Sequence, residues 1–193
     1  MPRTKQFCEE ETLNKAMELF WEKGFHATSM QDLVSHLGIN RASLYDTYGG
    51  KEQLFDKAFE HYRKTSGGWL EELFQNEPSI KEGFKKLFEA AIHEAITDAC
   101  RKGCFVVNTT TELTPGNTKM DQTLMAHKAH MEQLFVSYVQ KGINNGEIPA
   151  DKNAQEIGWM LFTLYNGVRV VSKIDTNAEK LQKVVDSGLS VLD

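Results

Sequence analysis

Residues 28–51, TSMQDLVSHLGINRASLYDTYGGK, constrain the fold of this chain more than any other stretch. In its first half, apolar residues recur at intervals of three and four and predict one apolar stripe on a helix: Met30, Leu33, Val34 and Leu37. Ser29, with Asp32 three residues later, can form a capping box at the helix start, and Gly38 can adopt the left-handed conformation that ends the helix. This half therefore predicts a short helix with two defined ends.

The second half of the stretch predicts another short helix after a tight turn. Asn40 is a favoured N-cap residue, and Ile39 and Leu44 have the spacing of a hydrophobic staple across the helix start. Two short helices joined by a three-residue turn that contains glycine form a helix-turn-helix. With Leu44 as the buried anchor, the outer face carries side chains that suit contact with base edges and phosphates in a major groove: Arg41, Ala42, Ser43, Tyr45 and Thr47.

These residues resemble the N-terminal signature of TetR/AcrR-type transcriptional regulators. The resemblance is carried by GINRASLYDTYGGKEQLF, preceded by AMELFWEKG and FHATSM, and runs without a gap over residues 7–59. It implies an all-α protein of about nine helices, with a three-helix DNA-binding domain followed by a helical ligand-binding and dimerisation bundle. The sequence departs from the family at Asp46, where many members carry histidine, and at Tyr48, where many carry phenylalanine. Because an acidic side chain repels phosphates, we expect no DNA contact from Asp46.

We expect ten residues to contact double-stranded DNA: Thr28, Ser29, Asn40, Arg41, Ala42, Ser43, Tyr45, Thr47, Tyr48 and Lys51. Thr28 and Ser29 precede a helix start, where a hydroxyl and exposed N–H groups can hold a phosphate, although capping alone would also explain both. Lys51 opens a helix, where its charge opposes the helix dipole unless a phosphate lies nearby. The basic arm at residues 2–5 can reach a phosphate, or it is a frayed terminus.

The charge of the chain limits where DNA can bind. The 193 residues include 22 Lys and Arg against 27 Asp and Glu, and residues 1–66 include nine basic and ten acidic side chains. A DNA footprint must therefore be a local face rather than a basic domain.

We expect no membrane partner, because the sequence has neither an apolar run of roughly 18 residues nor a signal peptide. Three cysteines in a chain that needs no disulfide suit the reducing cytoplasm.

The rest of the chain has the pattern of a helical bundle. We expect a DNA-binding domain in residues 1–50, a connecting helix in 51–66 and an effector-binding and dimerisation domain in 67–193, with Ser66, Gly67 and Gly68 at the boundary. The β-branched segment CFVVNTTTELT is predicted to be a short buried helix, because no partner strands exist elsewhere. Residues 153–171 are apolar on nearly all helix sides, which predicts a homodimer through the last two helices. The alternative is burial of these faces within one monomer.

An apolar effector pocket is expected inside the second domain. Its candidate lining residues are Phe84, Phe88, Ile92, Cys104, Val107, Asn108, Met125, Trp159, Phe162 and Tyr165. The alternative for each of them is an ordinary position in the hydrophobic core. The family resemblance implies an organic small-molecule effector that moves the helix starting at Lys51. A coupling of ~1–3 kcal/mol between the two sites would weaken operator binding roughly 5- to 150-fold. The resulting hypothesis is a ligand-responsive repressor that binds a palindromic operator as a homodimer and is released by its effector.

Other functions are less well supported by the sequence. No nucleophile elbow, P-loop, HExxH or GxGxxG motif is present, so we expect neither an enzyme nor a bound cofactor. Two pairs of side chains have helical spacing, Cys100 with Cys104 and His127 with His130, and together they could supply the four ligands of a zinc or copper site. Gly103, however, breaks a helix between the two cysteines. Cys104 also follows Arg101 and Lys102, cations that favour a reactive thiolate, so a redox, electrophile or metal sensor is the alternative. A third possibility is a helical interaction protein that has lost DNA binding through Asp46.

Overall fold

The computed structural model describes residues 7–193, so the predicted basic arm at residues 2–5 lies outside the described part of the chain. Within it, the structure is all helical, as predicted, and contains no strand. The helices are α1 (Glu9–Lys23), α2 (Met30–Leu37), α3 (Arg41–Tyr48), α4 (Lys51–Asn76), α5 (Ile80–Thr97), α6 (Phe105–Leu113), α7 (Thr118–Asn144), α8 (Ala154–Val171), α9 (Ala178–Leu189) and a final 3-10 turn (Ser190–Leu192). The chain divides into two compact units, Met1–Ser66 and Gly67–Asp193.

Aromatic residues build the core of the first unit. Phe20 of α1 and Phe55 of α4 are fully buried and meet edge to face, with ring centroids 5.0 Å apart. Leu33 of α2 and Leu44 of α3 have no exposed surface. These contacts bury one side of each short helix, which stabilises helices that would be marginal in isolation.

The predicted helix ends in the first unit are confirmed. The hydroxyl of Ser29 accepts a hydrogen bond from the Asp32 N–H at 3.1 Å, and the Asp32 carboxylate accepts one from the Ser29 N–H at 2.9 Å. Gly38 ends α2 with a φ of 66°. The Asn40 side-chain oxygen accepts a hydrogen bond from the Ser43 N–H at 2.8 Å and caps α3. The turn between α2 and α3 is therefore fixed at both sides.

The core of the second unit lies between α5, α7, α8 and α9, with Phe84, Phe88 and Phe135 fully buried at its centre. Helices α7 and α8 approach closely at Gly158, where an added Cβ atom would lie 2.7 Å from the Cα atom of Val136. The β-branched segment forms α6, a short helix as predicted. Among the described residues, none of the helices is both long and apolar enough to cross a membrane.

The glycine pair at the predicted boundary does not interrupt the helix. Helix α4 continues through Gly67 and Gly68 to Asn76, whereas the sequence predicted a break there. A glycine inside a helix costs about 1 kcal/mol relative to alanine, a penalty that a 26-residue helix tolerates. The boundary between the two compact units still falls at this point of the chain.

Candidate nucleic-acid interface

Helix α3 presents a polar outer face because its anchor is completely buried. Leu44 is 0% exposed, whereas Arg41, Ala42 and Tyr45 are exposed. The guanidinium carbon of Arg41 lies 5.8 Å from the centroid of the Tyr45 ring, so these two side chains share one patch of surface. Ser43 and Thr47 flank the patch and are half-buried. The arrangement leaves a short rod of side chains that can enter a major groove.

Lys51 is held at the start of α4 by an aromatic ring. Its ammonium nitrogen lies 4.4 Å from the centroid of Phe25, and the Phe25 ring packs edge to face on Phe55 at 5.0 Å. A cation over a ring face is attracted by the ring quadrupole, which restrains the position of the charge. Sequence reasoning missed Phe25, because no local pattern links it to a lysine 26 residues later.

Two predicted DNA contacts are wrong, because their side chains are buried. Thr28 is 0% exposed, and its hydroxyl donates a hydrogen bond to the Gly24 carbonyl at 2.6 Å. Tyr48 is 5% exposed, and its phenol donates to the Glu9 carbonyl at 3.2 Å. Tyr48 follows Leu44 by one helical turn, so both side chains face the core.

Ser29 and Asn40 remain at the surface, but their polar groups already have structural partners. The Ser29 hydroxyl also donates to the Asp32 carboxylate at 2.5 Å, and the Asn40 side-chain oxygen caps α3. Asp46 is exposed on α3 and places a negative charge on the same short helix as Arg41. Among the ten predicted DNA-contact residues, Arg41 and Lys51 are the two that carry a positive charge, in keeping with a small footprint.

The apolar lining predicted for an effector pocket is mostly packed core. Phe84 and Phe88 are fully buried, and Ile92 is 6% exposed. The Phe84 ring packs against Phe135 at 5.6 Å, and half-buried Phe162 does so at 5.5 Å. The predictions for Met125 and Trp159 are wrong, since these side chains are 70% and 45% exposed on α7 and α8 and face outward.

The remaining predicted residues lie near charged groups that sequence reasoning missed. Cys104 is half-buried at the N-cap of α6, beside Val107 and Asn108. The Asn108 side-chain oxygen accepts a hydrogen bond from Lys173 at 3.0 Å, and the Tyr165 phenol accepts one from Arg169 at 3.0 Å. Arg169 is the single charge in residues 157–171, a signal that was available in the sequence.

The candidate metal ligands do not assemble. Within residues 7–193, no group of three or more His, Cys, Asp or Glu side chains is arranged to hold a metal ion. Cys100 is exposed, and His130 contacts Glu71 at 3.0 Å. A zinc or copper site built from these two pairs therefore has no support among the described residues.

Both units match known families of regulators. Residues 13–58 match the family of bacterial regulatory proteins of the tetR type, and residues 82–187 match the tetracyclin repressor-like C-terminal domain. The chain is 30% identical over 194 residues to the uncharacterized HTH-type transcriptional regulator YezE of Bacillus subtilis (strain 168), with 100% of both chains covered. It is 28% identical to the HTH-type transcriptional repressor ComR of Escherichia coli (strain K12), with 97% of this chain and 90% of ComR covered.

A solved structure has the same fold over its whole length. It is a cysteine variant of the TetR family transcriptional regulator CifR in complex with 26-base-pair double-strand operator DNA. The TM-score is 0.89 at 28% sequence identity, and the match covers 99% of this chain and 100% of that one. The C-terminal family model matches more than half of this chain, and the N-terminal model covers the helix-turn-helix described above. The chain therefore belongs to the tetR family of bacterial regulatory proteins.

Proposed function

We propose that this protein is a transcriptional repressor that binds a double-stranded DNA operator through α3 and leaves it when a small molecule binds the second unit. The observation that carries the proposal is the outward face of α3, where Arg41 and Tyr45 are exposed over a completely buried Leu44. ComR, a relative along most of the chain, is a repressor, and a CifR variant of the same fold was solved on operator DNA.

The side chains of this face divide by chemistry into base and phosphate contacts. Arg41, at the N-terminus of α3, suits the two acceptors of guanine, and the methyl group of Ala42 suits a thymine methyl. Ser43, Tyr45, Thr47 and Lys51 suit phosphate oxygens, which position the helix without selecting a sequence. Specificity is therefore assigned to the first turn of α3, and affinity to the residues around it.

A homodimer would place two copies of α3 on one DNA duplex. Helix α8 and the turn after it leave exposed apolar side chains along one stripe, and α9 adds another: Trp159, Met160, Val170, Val171, Ile174 and Val184. Gly167 lies on the same stripe, with nothing within 4 Å of an added Cβ atom, so a partner helix can approach closely. Two copies of α3 separated by one DNA turn, ~34–36 Å, or a multiple of it, would bind a palindrome.

Release of the protein from its operator requires that binding of the effector to the second unit weakens DNA binding. A ligand that prefers the DNA-free conformation by ~1–3 kcal/mol would lower operator affinity roughly 5- to 150-fold, enough to switch a gene. The proposed site of action is the cytoplasm, because the proposed target is the bacterial chromosome.

The proposal is tested by gel shift with the DNA upstream of the chain's own gene. We expect the native protein to bind this DNA at least ~10³-fold more tightly than random DNA. Arg41→Ala and Tyr45→Ala should each weaken binding. Lys128→Ala serves as the matched control, because Lys128 is an exposed cation of α7 that pairs with Glu132. Equal affinity for upstream and random DNA would reject the proposed function.

A further inference from the structure

Arg41 differs from several other cations of the first unit in the partner that holds it. Three of those cations pair with carboxylates: Lys15 with Glu11 at 2.7 Å, Lys23 with Asp32 at 3.1 Å, and Arg63 with Glu60 at 3.1 Å. Within residues 7–193, neither a hydrogen bond nor an ion pair joins Arg41 to another residue. Its guanidinium lies over the Tyr45 ring instead, with the central carbon 5.8 Å from the ring centroid.

Helical geometry brings these two side chains together. Arg41 and Tyr45 are four positions apart on α3, so they are neighbours on one helix face. Long side chains on a helix lean toward the preceding turn, which directs the Tyr45 ring toward Arg41. Both side chains are exposed, and the pair therefore belongs to the outer face of α3.

The Tyr45 ring also packs against the turn that follows α3. A Cβ atom added at Gly50 would lie 3.4 Å from the Tyr45 Cε1 atom, which is ordinary van der Waals contact. Gly50 has a φ of 136°, a conformation that residues with a side chain rarely adopt, so bare backbone lies next to the ring. Contact with the turn restrains the ring, and the ring in turn restrains the guanidinium.

A ring and a carboxylate have different consequences for an arginine that binds a base. A carboxylate accepts hydrogen bonds from the N–H groups of a guanidinium and commits those donors. An aromatic ring attracts the positive charge through its quadrupole and leaves the donors at the edge of the guanidinium plane uncommitted. Arg41 therefore keeps its donors for the two acceptors of a guanine while the ring restrains its position.

We propose that Tyr45 is a positioning residue that determines specificity, because its ring holds the Arg41 guanidinium in place for a guanine. The inference rests on the proposed function and divides the work of one side chain, since the hydroxyl keeps the phosphate contact proposed above. An unrestrained arginine gives up many rotamers when it binds a base, and a ring that narrows this range beforehand favours the contact. The expected size is that of one exposed cation–π contact, about 2- to 5-fold in a binding constant.

The first experiment examines the pair in the full-length protein without DNA, by proton–nitrogen NMR of the arginine side chains. The chain has five arginines, and the signal that disappears in Arg41→Ala identifies Arg41. We expect a ring-current shift of this signal in the native protein and in Tyr45→Phe, and its loss in Tyr45→Leu. Arg63, 5.9 Å from the Phe59 ring centroid, is the internal control that should keep its shift throughout. An Arg41 signal that is the same in all three proteins overturns the proposal.

The second experiment measures what the ring contributes to base discrimination. Fluorescence anisotropy compares affinity for the operator with affinity for a copy in which one half-site lacks the guanine whose preference Arg41→Ala loses. Tyr45→Phe lacks the hydroxyl, so it should weaken binding to both DNAs equally and keep their ratio. Tyr45→Leu also lacks the ring and should lower this ratio about 2- to 5-fold relative to Tyr45→Phe. Equal ratios for the two variants overturn the proposal, and they are what a purely structural role of the ring predicts.

The same comparison in the Arg41→Ala background shows whether Tyr45 acts through Arg41. Without the guanidinium, Tyr45→Phe and Tyr45→Leu should have the same ratio of affinities. A difference that persists would show that the ring discriminates bases by itself, and it would overturn the positioning role. Absence of operator binding by the native protein is a failure of the proposed function instead, and the NMR comparison still decides whether Tyr45 restrains Arg41.

Discussion

The ammonium group of Lys51 lies 4.4 Å from the centre of the Phe25 ring, which itself packs against Phe55 in the core. The ring restrains a cation at the first residue of α4, three residues after α3 ends. A charge fixed in this way loses little freedom when it meets a phosphate. We propose that this restrained charge is one that a unit with almost balanced charge presents to DNA.

Lys51→Ala should weaken operator binding to about the same extent for every DNA sequence. The slope of log affinity against log salt should fall by about 1, as loss of one phosphate contact predicts. Binding is measured by anisotropy over a salt series, with Lys51→Arg as the control that keeps the charge. An unchanged slope would show that Lys51 makes no phosphate contact in the complex.

Phe25→Leu should lower operator affinity by a smaller factor than Lys51→Ala and leave the salt slope unchanged. The variant keeps an apolar side chain against Phe55 but removes the ring that restrains the ammonium group, a cation–π contact of about 0.5–1 kcal/mol. The same salt series measures both quantities. A loss of slope equal to that of Lys51→Ala would mean that Phe25 acts by folding the interface rather than by restraining one charge.

Glu147→Gln should destabilise the second unit at neutral pH by about 1–2 kcal/mol. The Glu147 carboxylate accepts hydrogen bonds from the Ser79 hydroxyl at 2.6 Å and from the N–H groups of Ile80 at 2.7 Å and Lys81 at 2.9 Å. Chemical denaturation at pH 7 measures the loss. Glu89→Gln, an exposed change on α5, the helix whose start Glu147 caps, should have almost no effect.

The stability that Glu147 provides should depend on pH in the direction of its pKa shift. Partial burial opposes the charge, but the hydrogen bonds from Ser79, Lys81 and Ile80 outweigh it and hold the pKa below the ordinary 4.5. The contribution is therefore complete above that value and is lost as the pH falls through the lowered pKa. We expect the difference between the native protein and Glu147→Gln to shrink in denaturation curves measured below pH 4.5. A difference that grows with acidity would contradict this account of the cap.

Gly158→Ala should destabilise the protein by about 1–3 kcal/mol. An added Cβ atom would lie 2.7 Å from the Cα atom of Val136, and backbone at that distance cannot move away cheaply. Gly67→Ala is the matched control, because its added Cβ atom meets nothing within 4 Å and alanine favours a helix by about 1 kcal/mol. Denaturation midpoints should thus move in opposite directions for the two substitutions.

Ile174→Glu, combined with Val184→Glu, should convert the proposed dimer into a monomer. These side chains are 84% and 46% exposed in the single chain, and a charge buried in a dimer interface has no partner there. Light scattering after gel filtration measures the mass. Met125→Glu, an equally drastic change at a 70% exposed methionine of α7, should leave the mass unchanged. A native protein that is itself monomeric at micromolar concentration would contradict the dimer.

The parts of the fold that depend on neighbours in sequence were predicted well. The caps at Ser29, Asp32 and Asn40 are formed by residues three positions apart, so the sequence contains the whole interaction. The exposed face of α3 follows from the position of Leu44 alone. Helical periodicity then places Arg41 and Tyr45 away from the core.

Features that depend on distant partners were not predictable in the same way. Tyr48 donates to a carbonyl 39 residues away, and Glu94 and Arg169 are 75 residues apart. Met125 and Trp159 belong to apolar patterns, but which part of such a helix faces the core is decided by how the helices cross. A pattern in one helix does not contain that information.

The measurement that tests the central claim most directly is the base preference of the protein at each operator position, compared with that of Arg41→Ala by selection from randomised DNA. If α3 contacts bases through its first turn, Arg41→Ala should lose a guanine preference at one position in each half-site and keep the others. The lost discrimination should be about 1–3 kcal/mol. An unchanged set of base preferences would contradict the assignment of Arg41 and α3 to DNA recognition.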